Sequence, residues 1–461
     1  MSRSAPTPQL LRVRARALID GDGTRHAPGA VLVGADCTEH GSPPRDARSP
    51  AWRLLAAGEP SVVARHPAAG GAATLDLPNS ILIPGLVNAH CHLDLTHIGP
   101  RPFEPDGGFV GWADHIRRNR PMASSDIGAA IARGVDLSLQ GGVVAVGDIA
   151  GAAGGRPSLE PWRALRESPL EGVSFLEFFA IGMGRDRGQE AARRAMTQAE
   201  CERAGRGIRF GLQPHAPNTV DRRVYEWAAD EARRSGLAIS THLAETVEER
   251  EFVARAAGPQ REFLERLGLW DESATECIGR GEHPVRHLAS ALAAARFLVA
   301  HVNDAPDETI EILARTGAAV AYCPRASAYF GAEQRLGPHR YRDMLAAGIV
   351  VALGTDSIVN LPAAAADVGV STWDEMRVLA RRDGTDPALL LRMATILGAA
   401  ALGLDSAAYR FAAPSPLAGL VAVEAGPPTA PREDAADVLG QALRGNARPR
   451  LLLPDGGRSA G

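Results

Sequence analysis

Residues 81–95 read ILIPGLVNAHCHLDL: an apolar run, a turn-prone step at Pro84 and Gly85, and then two imidazoles, His90 and His92, one residue apart. Side chains of a strand repeat every second residue, so both rings face one way and Cys91 faces the other. In the wall of a closed barrel the shared face is the lumen, where two neutral imidazoles can converge on one divalent cation. Two histidines in a strand also suit a hydrogen-bonded core, so the reading depends on what the rest of the chain adds.

Working outward, apolar strands alternate with helical segments after Pro84. The strands expected are Gly85–His90, Val143–Asp148, Gly172–Phe179, Ile208–His215, Ala238–His242, Phe297–His301, Ala318–Cys323 and Ile349–Gly354. Between them lie amphipathic stretches such as Asp221–Ser235 and Ala305–Arg315. Eight such alternations predict an α/β fold, a (β/α)8 TIM barrel whose functional end is the C-terminal end of its strands. Ligand-capable residues gather at those ends: His90 and His92 on the first strand, His215 on the fourth, His242 on the fifth, His301 on the sixth and Asp356 just past the eighth. Five of the 13 histidines thus sit at expected strand ends, which independent core histidines would not do.

Upstream, Leu10 to Leu82 holds short alternating segments broken by Gly, Pro and Asp, and residues 37–50 read as an exposed loop. Downstream, 386–403 reads as one closing helix begun by Asp386 and Pro387, followed by strand-like pieces such as LAGLVAVEA and RPRLLLP. The expected organisation is a small β-sandwich formed by residues 1–82 and 405–461, with the barrel, 83–404, inserted between its halves.

Composition narrows the chemistry. Fifty basic against 54 acidic residues, with no block of like charge, gives no footprint for nucleic acid or a membrane surface. All 50 basic side chains are arginine, which excludes lysine nucleophiles, Schiff bases and a carbamylated-lysine bridge between metals. Five scattered cysteines without a Cys-x-x-Cys pair argue against disulfides and thiolate zinc sites and fit a reducing cytoplasm. No signal-peptide core or long apolar run occurs, so the expected partner is a small-molecule substrate, with homodimerisation left open.

Six segments, PGLVNAHCHLDL (84–95), LQPHAP (212–217), THLAET (241–246), AHVND (300–304), CPRASAYFG (323–331) and LGTDS (353–357), together resemble the deaminase and chlorohydrolase branch of the amidohydrolase superfamily. Within it, GFVGWADHIRRN (108–119), HLAETVEEREF (242–252) and HPVRHL (283–288) look like the group that deaminates 6-aminopurine nucleosides, including 6-amino-6-deoxyfutalosine in menaquinone synthesis. The resemblance implies that His90, His92, His242 and Asp356 bind one divalent metal, a nitrogen and oxygen donor set that suits zinc and also admits Fe2+. It implies that Glu245 shuttles protons, that His301 orients the attacking water and that Asp356 accepts its proton. Glu245 follows His242 by three residues, so a helical turn after the fifth strand would bring them together; the competing reading is a plain acidic helix start at Glu245, Glu248 and Glu249.

His215 is expected to face the substrate ring, and Trp112, Arg117 and Arg325 are candidates for purine stacking or for ribose or carboxylate contacts. His97, His115, His283, His287 and His339 read as peripheral. Two departures from the family pattern stand out: Ala326, Ser327 and Ala328 replace a Ser-Asn step, and Ala418-Gly419-Leu420-Val421 replaces Ala-Asp-Leu-Val. The expected activity is release of ammonia from an aminated heterocycle. Its alternatives are hydrolysis of a halide or cyclic amide in the same site, or a scaffold without turnover. The His-x-Glu and Pro-Cys-x-x-Cys signature of nucleic-acid-editing deaminases is missing.

Overall fold

The computed structural model describes residues 10–35, 52–202, 207–361, 369–430 and 433–453; the loop expected at 37–50 lies outside them. Strand Ala73–Pro84 passes into Leu86–Cys91 through Gly85 alone, and the two strands belong to different sheets. A side chain has no room at this seam. A Cβ at Gly85 would lie 2.5 Å from Val144, and one at Gly419 would lie 2.7 Å from the same residue. Gly85 N–H donates to the Gly419 carbonyl at 2.9 Å, so the second departure from the family pattern marks where two backbones touch.

The first sheet is curled and mixed, and draws on both ends of the chain. Leu10–Ile19 runs antiparallel to Gly29–Ala35 and parallel to Ala73–Pro84. Ser415–Leu417 pairs with Trp52–Gly58 at one edge, while Leu420–Glu424 pairs with Ala73–Pro84 and Pro449–Leu451 at the other. Buried Arg16 ties the two chain ends together, donating to Glu433 at 2.6 and 2.8 Å and to Gln441 at 2.9 Å.

The second sheet is the barrel. Its parallel strands are Leu86–Cys91, Val143–Ala150, Glu171–Phe178, Ile208–Pro214, Ala238–Leu243, Phe297–His301, Ala319–Tyr322 and Val351–Leu353, each beside the next. They agree with the expected strands to within two residues at each end. Alternation along the first strand is interrupted: Val87 and Ala89 join one apolar cluster, while Cys91 and Leu93, of the same parity, join Leu86 in another, and the pairing register shifts between Leu86 and Val87 and between Asn88 and Cys91. The ring closes where Thr355 and Asp356 N–H groups, both at 3.0 Å, donate to the His90 carbonyl.

One expected element is divided. The closing helix is two, Pro387–Met393 and Ile396–Ala401, with Thr395 between them at φ −132°, ψ −90°. The Ala394 carbonyl turns out to accept from Val87 N–H at 2.7 Å, which satisfies the first barrel strand at the cost of a continuous helix. Among the described residues Cys91, Cys201, Cys277 and Cys323 are free thiols, and no helix is long and apolar enough to cross a membrane.

Candidate active site

The C-terminal ends of the strands bring the candidate residues together. His90 Nε2 and His92 Nε2 lie 3.6 and 3.3 Å from Asp356 Oδ1, and His92 Nε2 lies 3.3 Å from His242 Nε2. Asn360 donates to the other Asp356 oxygen at 2.5 Å, which leaves Oδ1 facing the imidazoles. His242 Nδ1 stands 3.0 Å from the His215 carbonyl. A carbonyl only accepts, so Nδ1 carries the hydrogen and Nε2 keeps its lone pair, the arrangement that presents a metal-binding nitrogen.

These groups fit a cation. Burial holds His92 down to about 3 and His242 well below the usual histidine range, so both are neutral at pH 7. Burial pushes Asp356 up, yet the facing His90, His301 and His92 win and keep its carboxyl far below the ordinary value. His90 Nδ1 and Nε2 and His92 Nδ1 are buried with no hydrogen-bond partner, an arrangement folded proteins avoid unless something else satisfies the atoms. Ligands of a tetrahedral zinc at about 2.0–2.1 Å stand roughly 3.3 Å from one another, which is the spacing found here.

Glu245 and His301 complete the floor, with His301 Nε2 3.7 Å from Glu245 Oε1. No helical turn joins Glu245 to His242, contrary to the sequence expectation. The chain instead kinks at Ala244, φ 52°, and helix Val247–Arg255 begins after it. Glu249 holds the kink by accepting from Ala244 and Glu245 N–H, both at 2.8 Å, while Thr246 caps the helix by accepting from Glu249 N–H at 3.1 Å. Part of the acidic run is therefore a buried brace. Burial, with Asp356, Glu249 and Glu248 adding, pushes the Glu245 carboxyl well above its usual value.

Left-handed backbone concentrates here. Of five non-glycine residues with positive φ among the described residues, four are Ala244, His301, Val302 and Asp356 at the ends of strands five, six and eight. Each costs on the order of 1–3 kcal/mol and survives only where the surroundings fix it. Ser327, from the first departure, takes part: it donates to Asn303 at 2.7 Å, and Asn303 donates to the Glu245 carbonyl at 3.1 Å.

A cavity of about 600 Å3 opens above this floor. His215 lines it, its Nδ1 2.7 Å from Thr219 Oγ1 and its Nε2 3.8 Å from Glu177. Trp112 and Arg117, on helix Gly108–Asn119, also line it, with Arg117 paired to Asp114 at 2.8 Å. Arg325 does not: it donates to Glu375 at 2.5 and 2.9 Å, and so braces a helix behind the site.

Sequence reasoning missed one feature of the wall. Arg120 donates to Asp94 at 2.7 Å and to Glu177 at 2.6 Å, all three buried. Burial pushes Glu177 up, but Arg120, His215 and His92 draw it down to about 2. The strand-end rule that picked out the histidines would have found Glu177 had it been applied to carboxylates.

The chain belongs to the amidohydrolase family, whose pattern matches residues 81–412. It is 30% identical over 355 residues to the aminodeoxyfutalosine deaminase of Deinococcus radiodurans, covering 74% of this chain and 75% of that one. It is 30% identical over 397 residues to the 5-methylthioadenosine/S-adenosylhomocysteine deaminase of Natronomonas pharaonis, covering 82% and 81%. Its fold matches the crystal structure of Helicobacter pylori aminofutalosine deaminase with a TM-score of 0.72 at 20% identity, over 98% of this chain and 100% of that one. The protein is accordingly a deaminase-type amidohydrolase, a hydrolase of carbon–nitrogen bonds other than peptide bonds.

Proposed function

We propose that the protein deaminates a 6-aminopurine nucleoside carrying a modified 5′ group, such as 6-amino-6-deoxyfutalosine or a 5′-modified adenosine. His90, His92, His242 and Asp356 would hold one divalent cation, zinc by donor type, with Fe2+ compatible. Such a cation supplies Lewis-acid activation of a water molecule near neutral pH. Protonated Glu245 gives its proton to the ring nitrogen as the water oxygen attacks the amine-bearing carbon, and Asp356 takes the proton that the water loses. His301 hydrogen-bonds the attacking oxygen. Glu245, now a carboxylate, takes the proton left on the attached oxygen and passes it to the departing amine, so ammonia leaves as the ring carbonyl forms, and the proton held by Asp356 returns to Glu245.

The observation that carries this reading is the meeting of three imidazoles, the Asp356 carboxylate and the Glu245 carboxyl, whose pKa burial raises, on the floor of a cavity. Two features support the substrate class. The relatives named above are deaminases of aminopurine nucleosides with different 5′ groups. The outer cavity is walled by Phe109, Trp112, Phe179 and Phe263 and carries Arg156 and Arg187, which form no ion pair among the described residues, a setting for an apolar 5′ group that ends in an anion. His215 faces the ring in this reading.

The test is a panel of adenosines differing at the 5′ position, together with 6-amino-6-deoxyfutalosine, assayed for ammonia. Ammonia release from at least one member, with kcat/KM rising for anionic 5′ groups, is the expected result. No ammonia from any of them, with turnover of a chlorinated or cyclic-amide heterocycle, would replace this reading with the other leaving-group chemistry.

A further inference from the structure

His339 belongs by sequence to the peripheral histidines, yet it stands directly behind the floor of the site. Its Nε2 lies 2.8 Å from the carbonyl oxygen of His301. Since a carbonyl only accepts, Nε2 carries the hydrogen and donates it. The ring is buried and stacks on Tyr322 with centroids 3.6 Å apart and planes 13° from parallel, and Arg382 donates to the Tyr322 hydroxyl at 3.0 Å. A chain of contacts thus fixes this one donor in place.

The bond falls on an unusual piece of backbone. His301 has φ 72° and Val302 φ 51°, two consecutive left-handed residues without a glycine, the second β-branched. An L residue, above all a β-branched one, leaves this conformation unless its surroundings hold it. Val302 N–H is held by the Leu243 carbonyl at 3.0 Å on one side of the turn, and the His301 carbonyl by His339 on the other. The turn decides where the His301 ring points, and it points at Glu245.

We infer that His339 is a positioning residue: its Nε2–H bond to the His301 carbonyl keeps the left-handed turn that aims the His301 ring at the reacting water. The inference rests on the catalytic reading of His301 given above. The test pairs His339→Gln, whose amide reaches as far as the imidazole Nε2, with the shorter His339→Asn, which does not. His339→Asn should lower kcat about 10- to 100-fold, the scale expected when a catalytic group is misplaced by about 1 Å, with KM and bound metal per chain unchanged; His339→Gln should recover most of the loss. A crystal structure of His339→Asn should show φ of His301 turned negative, a readout that does not depend on turnover. Wild-type kcat in His339→Asn, or a left-handed His301 in its crystals, overturns the inference alone. A wild-type enzyme that releases no ammonia from any aminopurine nucleoside overturns the catalytic reading, and the crystal structure still decides whether His339 holds the turn.

Discussion

Two buried polar clusters share the open end of the barrel, and they are satisfied in opposite ways. In the first, Asp94, Arg120 and Glu177 close on one another at 2.6–2.7 Å, cation between two carboxylates. In the second, His90, His92, His242 and Asp356 converge at 3.3–3.6 Å, and among the described residues no arginine pairs with Asp356. Both groups are removed from water, and a buried polar group without a partner is costly. The first cluster pairs its charges from the chain's own residues, with Asp94 Oδ1 alone left without a hydrogen-bond partner, and so holds structure. The second gathers imidazoles and one carboxylate around one point, a donor set that fits a divalent cation.

The comparison can be broken at several points. The largest effect is expected from Asp356→Asn, which takes the negative charge from the second cluster and the proton acceptor from the reaction: kcat should fall by several orders of magnitude and bound metal should drop, read by ammonia release and metal content. Glu245→Gln keeps the ligands and removes the proton carrier, so kcat should fall about 10²- to 10⁴-fold with metal retained, which separates proton transfer from cation binding. Arg120→Met addresses the first cluster. It strands two buried carboxylates, and denaturant unfolding should register a loss of about 3–5 kcal/mol while bound metal stays near the wild-type level. Loss of the metal in Arg120→Met would show that the clusters are not independent. The smallest effect belongs to Arg117→Ala. That side chain is 44% exposed and its partner Asp114 is also paired by Arg118 at 2.6 Å, so stability should change by no more than about 1 kcal/mol.

The same contrast explains what the sequence made legible. Each residue of the second cluster except Asp356 lies in or next to a strand, and period-two alternation together with the strand-end rule locates such residues from local pattern alone. Asp356 follows the eighth strand closely enough for the same rule to reach it. The first cluster joins residues 94, 120 and 177, which no local pattern relates, and Arg120 is one of 50 arginines with nothing in its neighbourhood to mark it. Asp94 did carry a signal, being two residues beyond His92. Arg325 shows the converse failure: it follows the Cys323-Pro324 step of a family motif, but Glu375, 50 residues away, claims its guanidinium. Backbone geometry was equally hidden. The kink at Ala244 and the left-handed turn at His301 are braced by Glu249, Asn303 and His339, and the helical turn on which the three-residue spacing of His242 and Glu245 depended is absent.

The most direct test of the second cluster is elemental analysis of the purified chain at full activity. One divalent transition metal per chain, lost together with ammonia release on chelation and regained with it on adding zinc, is the predicted result. Undiminished turnover from a preparation that contains no transition metal would contradict it.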